Sequence, residues 1–147
     1  MTESFFKRVV VPVASPDDAE ATAATLVPYV EGTDSTVIAV HVIEKAGGAP
    51  DKASVEQREQ WAHEIFAAIS DGFSDTGIAL ETKILYGTDI ATTVIDAAHE
   101  LDASAIAFIP RGGSRWRKLL TGDVAHNLVN NTHVPILVLS DREVSEE

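Results

Sequence analysis

Four short apolar runs, each nearly unbroken and separated by stretches with helical spacing, limit the folds open to this chain more than any other feature. They are RVVVPVA from Arg8, STVIAVHVI from Ser35, SAIAFIP from Ser104 and VPILVLS from Val134. A strand that is apolar on both faces needs cover on both faces, which is the condition of a parallel sheet wrapped by helices. A fifth run, IALETKILY from Ile78, alternates instead: Leu80, Thr82, Ile84 and Tyr86 fall on one face and Glu81 and Lys83 on the other. That pattern suits a half-exposed edge strand.

The intervening stretches read as helices. After SPDD, Ala19, Ala23, Leu26, Val27 and Val30 recur at helical spacing, with Ser15 placed to cap, Pro16 at the first helical position and Pro28 expected to bend or end the helix. A second stripe holds Ala62, Ile65, Phe66, Ile69 and Phe73, following the loop EKAGGAPDKAS from Glu44. A third holds Ile90, Val94, Ile95, Ala98 and Leu101 after Gly-Thr-Asp, and a fourth Val124, Ala125, Leu128 and Val129 after Thr-Gly-Asp. The order β-α-β-α-β-α-β-α-β predicts an α/β fold, an open, doubly wound parallel sheet with helices on both faces. A single domain over residues 1–140 accommodates all of it, and DREVSEE, 141–147, reads as a solvated acidic tail. The last run carries no lysine, glycine or internal proline after Pro135 to guard a free edge, which predicts a homodimer paired through that strand.

Charge narrows the partners. With 23 acidic against 11 basic residues the net charge is −12, which argues against general affinity for nucleic acid or anionic membranes. Only five of the basic residues are lysine, a balance expected of a surface adapted to high salt. The absence of cysteine removes disulfides, thiolate nucleophiles and cysteine-ligated metals, and His63, His99, His126 and His133 show no compact ligand spacing. No metal is expected. The N-terminal apolar run, broken by Pro12 and followed by two Asp, is too brief to span a membrane and poorly shaped as a signal peptide, so a cytoplasmic location is expected.

Against that acidity, FIPRGGSRWRKLLTGDVAHN stands out. Arg111, Arg115, Arg117 and Lys118 place four of the basic residues in eight positions of one glycine-bearing loop after the fourth strand. In a doubly wound sheet the binding crevice lies outside the carboxyl ends of the strands where the winding direction reverses. Here VASPDD and PRGGSRW would line it. The loop is no nucleophile elbow, since Trp116 replaces the last glycine of a G-x-S-x-G turn, and no phosphate-loop or dinucleotide fingerprint is present. It reads either as a solvated turn balancing nearby carboxylates, or as a site for an anion or an acidic protein surface. Trp116 packs the loop onto the fourth helix or stacks on a base.

Taken together, the VPV first strand with its polar turn, the HVI second strand, Gly87-Thr88-Asp89, the glycine loop and the closing VPILVLS resemble a universal stress protein domain over nearly the whole chain. The resemblance implies a five-stranded sheet of order 3-2-1-4-5, dimerisation, and a division between members that bind ATP and members that do not. Binding members carry G-x-x-G-x9-G-[ST] after the fourth strand and an Asp after the first. Gly112 and Gly122 keep their spacing, but Ile109 holds the first glycine position, Asp123 the hydroxyl position and Ala14 the Asp position. Asp123 can cap the helix N–H groups that a phosphate needs. Two like charges about 4 Å apart also cost on the order of 4 kcal/mol near a protein surface, roughly a thousandfold in affinity.

The expectation is therefore a stress-response domain acting as a non-catalytic homodimeric interaction protein, with no cofactor required. The competing reading is a module binding ATP or AMP. There Arg111, Gly112, Gly113, Arg115, Gly122 and Asp123 would surround the phosphates, while Val13, Ala14 and Val42 would line the rest of the crevice. A hydrolase would further need a water-activating base and a metal ligand, of which Asp123 could supply only the second.

Overall fold

The computed structural model describes residues 6–44, 52–109 and 134–139. In chain order the elements are β1 (Arg8–Pro12), α1 (Pro16–Val30), β2 (Thr36–Glu44), α2 (Lys52–Phe73), β3 (Ala79–Gly87), α3 (Ile90–Glu100), β4 (Ala105–Phe108) and β5 (Ile136–Val138). All pairings are parallel, and the sheet order is β3-β2-β1-β4-β5. The expected fourth helix, Val124 to Val129, and the tail from Asp141 lie outside the described residues.

The sheet divides two cores, which is why the central strands are apolar without alternation. Val9, Val11 and Val13 of the first strand join Ala23, Leu26, Ile65 and Ile69 on the α1–α2 side. Val10 joins Ile38, Val40, Val94 and Ile106 on the α3 side. Each valine from Val9 to Val11 is fully buried, contributing on the order of 1.5–3 kcal/mol of transfer free energy. β3, paired only with β2 among the described strands, keeps Leu80 and Ile84 half-buried against the α1–α2 core while Glu81, Thr82 and Lys83 are exposed. The edge position read from its alternation is the one it occupies.

The helix ends follow local chemistry. Ser15, in extended conformation, caps α1 by accepting from the Asp18 N–H at 3.1 Å, and Pro16 supplies a preset φ. Pro28 does not end this helix, which runs on to Val30; the ring sits on an exposed face and removes one backbone N–H, while Leu26 and Val30 on the opposite face stay buried and hold the last turn in place. Asp89 caps α3, accepting from the Thr92 N–H at 2.9 Å, while Thr93 Oγ1 returns a bond to the Asp89 carbonyl at 2.6 Å. Thr93 explains the glycine of Gly87-Thr88-Asp89: a Cβ on Gly87 would lie 2.0 Å from Thr93 Oγ1. Asp89→Ala is expected to cost about 1 kcal/mol by losing this cap, with Asp89→Asn near neutral; urea unfolding of both variants measures it. A start-to-start clamp completes the sheet: Arg8 N donates to Ser104 Oγ at 2.9 Å, Ser104 N to the Arg8 carbonyl at 2.7 Å, and Arg8 Nε to the Leu101 carbonyl at 3.0 Å.

Candidate functional site

The winding direction reverses between β1 and β4, and the backbone shows why their pairing is short. Along β1 the odd residues face β2, as the bond from Val13 N to the Val40 carbonyl at 2.9 Å records, and the even residues face β4, as Arg8 does toward Ser104. Pro12 belongs to the β4-facing series and has no N–H to donate. The β1–β4 ladder is correspondingly short, pairing only Val9 with Ala105 and Val10 with Ile106. Beyond it, Val13 and Ala14 follow β1 and Ile109 follows β4 with no further β1–β4 pairing in the register; this carboxyl end of the junction is where doubly wound folds hold ligands.

Ala14 lies just past the end of β1, at this junction. Its N–H is donated to Asp18 Oδ2 at 2.8 Å. On the other side of the same peptide unit, the Val13 carbonyl lies 2.8 Å from Nδ1 of buried His41 on β2. A carbonyl only accepts, so Nδ1 of His41 carries the proton. Both polar ends of the Val13–Ala14 peptide are thus held by side chains, and the amide links a histidine donor to a carboxylate acceptor in one polarised chain. Asp17 and Asp18 occupy the first turn of α1, so the positive end of that helix faces its own acidic residues.

Of the residues named from the sequence, three lie in the described structure. Val13 is buried on the α1–α2 side of the sheet, whereas Val42 is buried on the α3 side, where half-buried Ala14 packs against the same core. Ala14 and Val42 therefore share a face and Val13 does not join them. Arg111, Gly112, Gly113, Arg115, Gly122 and Asp123 lie outside the described residues, as does Trp116. Ile109, at the first glycine position, is only 4% exposed and belongs to the α1–α2 core with Val13 and Leu139. Its role is packing.

Two residues here escaped the sequence reading. Asp18 was legible as the last member of Ser15-Pro16-Asp17-Asp18, an [ST]-x-x-[DE] box, although its carboxylate takes the N–H one residue before the cap rather than that of the cap itself. His41 carries no such signal; inside an apolar strand it looks like any core position.

A concavity of about 440 Å³ lies between β3 and α3, lined by Tyr86, Gly87, Thr92, Asp89, Asp96 and Glu100 among others. The Tyr86 hydroxyl donates to Glu59 of α2, and that bond, with partial burial and the Glu59 charge, raises its pKa above the usual tyrosine value. The carboxylates make the concavity hostile to phosphate. Among the described residues no three His, Asp or Glu side chains converge as a metal site, and no helix is long and apolar enough to cross a membrane.

A doubly wound α/β domain with sheet order 3-2-1-4-5, whose winding reverses between its first and fourth strands, is the class these features define. The model of the universal stress protein family matches residues 5–140, and the chain belongs to that family. It is 23% identical over 143 residues to a universal stress protein of Methanocaldococcus jannaschii, covering 93% of this chain and 84% of that one. Among solved structures it resembles the universal stress protein from Archaeoglobus fulgidus in complex with dAMP, at 22% identity and TM-score 0.60, with 92% of this chain and 99% of that one covered. It also resembles a family protein from Arabidopsis thaliana with AMP bound, at 15% identity and TM-score 0.66, with 96% and 97% covered.

Proposed function

We propose that this chain serves the stress response as a non-catalytic, homodimeric interaction protein of the cytoplasm whose β1–β4 crevice works without a bound nucleotide. The observation carrying the reading is the bond from Ala14 N to Asp18 Oδ2 at 2.8 Å. The backbone donor just past β1 is already engaged by a carboxylate, and position 14 offers no carboxylate of its own to receive ligand hydroxyl or amino groups. Asp123, at the start of the loop's following helix in the sequence, would add a second negative charge. Dimerisation through the last strand is supported by the exposure of Val138, 54%, on the β5 edge.

Melting the protein with and without millimolar ATP or AMP plus magnesium tests this. No shift is expected. A site whose dissociation constant is a thousandth of the ligand concentration would add about 4 kcal/mol, an upward shift of roughly 8–16 °C for a chain this size; a shift of that order would overturn the reading. A single light-scattering run, expected to give twice the chain mass of 15.7 kDa, tests the dimer.

The second reading is a nucleotide-binding signalling module. It is favoured by the fold neighbours holding dAMP and AMP, and by the intact nine-residue spacing of Gly112 and Gly122. In it Ala14 and Val42, sharing one face of the sheet, would lie against the base while Arg111 and Arg115 meet the phosphates.

A further inference from the structure

We propose that β3 is a second self-association edge, through which two copies of this chain pair antiparallel about a two-fold axis at Thr82. β3 has nine residues and pairs only with β2 among the described strands. Its other side therefore carries a row of backbone donors and acceptors. The ladder says which residues own them. Thr36 N bonds to the Lys7 carbonyl and Val13 N to the Val40 carbonyl, so the even residues of β2 face β1 and its odd residues face β3. With Val37 opposite Leu80 in a parallel ladder, Val37 bonds on either side of Leu80, and the odd residues of β3 turn toward β2. Leu80, Thr82, Ile84 and Tyr86 present their backbone groups outward.

Two identical strands pairing antiparallel must set outward residue against outward residue, which places the axis on a residue rather than between two. Side chains then select the centre. An axis at Glu81 or Lys83 sets like charges face to face, and one at Leu80 or Ile84 leaves both charges opposite uncharged residues. An axis at Thr82 places Glu81 opposite Lys83 of the second copy and Leu80 opposite its Ile84, each pair occurring twice by symmetry. The charged pair then occupies the narrow, non-hydrogen-bonded position, where opposed side chains come closest.

Both faces of the strand gain from this register. Glu81 and Lys83 are exposed, whereas Leu80 and Ile84 are half-buried against the α1–α2 core, so pairing neutralises charge on one face and extends burial on the other. An edge guarded against its own kind carries one sign of charge; this one carries a positive and a negative residue two positions apart. The net charge of −12 opposes association at long range. At about 0.15 M salt the Debye length is about 8 Å, which damps that repulsion more than it damps charges in contact. β3 and β5 lie at opposite edges of the sheet, so this pairing is independent of the one proposed through β5.

Sedimentation velocity of the full chain at about 0.15 M salt, from micromolar to about 1 mM protein, tests the proposal. The mass of the parent is expected to rise beyond that of the species present at micromolar concentration. Glu81→Lys and Lys83→Glu each make both cross-strand pairs like-charged, and each is expected to weaken this association at least about tenfold. The double variant reverses both pairs and should return to within about threefold of the parent. An equimolar mixture of the two single variants should also associate, because lysine in one then opposes glutamate in the other. Bulk charge cannot imitate that result, since it moves in opposite directions in the two variants and averages to the parent value in the mixture. A parent with no rise in mass, single variants that associate like the parent, a double variant as weak as the singles, or a mixture no better than its components overturns the proposal. Melting curves, expected to be nearly unchanged because both positions are exposed, confirm that each variant is folded. Pairing through β5 is read separately, from the mass at micromolar concentration.

Discussion

Ile109→Gly, the substitution that restores the family's first motif glycine, is expected to destabilise the protein severely and not to open a nucleotide site. Ile109 is 4% exposed and packs with Val13 and Leu139 in the α1–α2 core. Deleting a buried isoleucine side chain removes its transfer free energy and leaves a cavity, and glycine adds backbone entropy to the unfolded chain; together these come to roughly 3–6 kcal/mol. Natural domains have about 5–15 kcal/mol in total. At about 2–4 °C per kcal/mol for a domain of this size, the melting temperature should fall by about 6–24 °C. Ile109→Val, which trims one methyl, should cost only about 0.5–1.5 kcal/mol. Calorimetry of both variants tests the ordering. A glycine variant as stable as the parent would mean that the side chain is not the core element described here, and that the first glycine is missing for some reason other than packing.

Gly72→Ala should also be destabilising, against the rule that alanine improves a helix. A Cβ at position 72 of α2 would lie 2.4 Å from the Cβ of Ala23 on α1 and 3.9 Å from its Cα. Neither atom can rotate away, so the helices themselves must separate, disturbing a seam shared by Leu26, Ile65 and Ile69. Overpacking of this kind typically costs about 1–3 kcal/mol, and a rigid contact this short belongs at the upper end. The gain in helix propensity is about 1 kcal/mol, leaving a net loss of about 2 kcal/mol. The exchanged pair Gly72→Ala with Ala23→Gly restores one methyl at the crossing and should recover most of the loss. Urea unfolding of the two single variants and the pair closes a double-mutant cycle whose coupling energy reports the contact. Gly72→Ala more stable than the parent would show that the helices do not approach this closely.

The periodicities read from the chain correspond to the elements observed because burial decides both. Residues of the first three helical stripes, such as Leu26, Ile69 and Val94, are the ones the sheet covers. The alternation of β3 reported an edge because Glu81 and Lys83 leave most of one face to solvent, although Leu85 on that face is buried against the α3-side core. Pro28 misled the reading in part: it removes one backbone hydrogen bond, but burial of Leu26 and Val30 carries the helix past it, and local chemistry alone does not reveal that packing. At the crevice, the motif comparison identified Ala14 and Ile109 as departures but could not say what they do. Ile109 turned out to be core, and the polar contacts at the end of β1 come from Asp18, on the Ala14 N–H, and His41, on the Val13 carbonyl.

By its own pattern of apolar runs, turn residues and charge, the sequence determined the α/β class, the helical faces, the edge strand and the family. These depend on spacing within a few residues, where solvent exposure leaves its mark on composition. What only the tertiary structure decided is the hold of His41, from β2, on the Val13 carbonyl. Hydrogen bonds between groups brought together by strand pairing have no period along the chain, so nothing in the order of residues announces them.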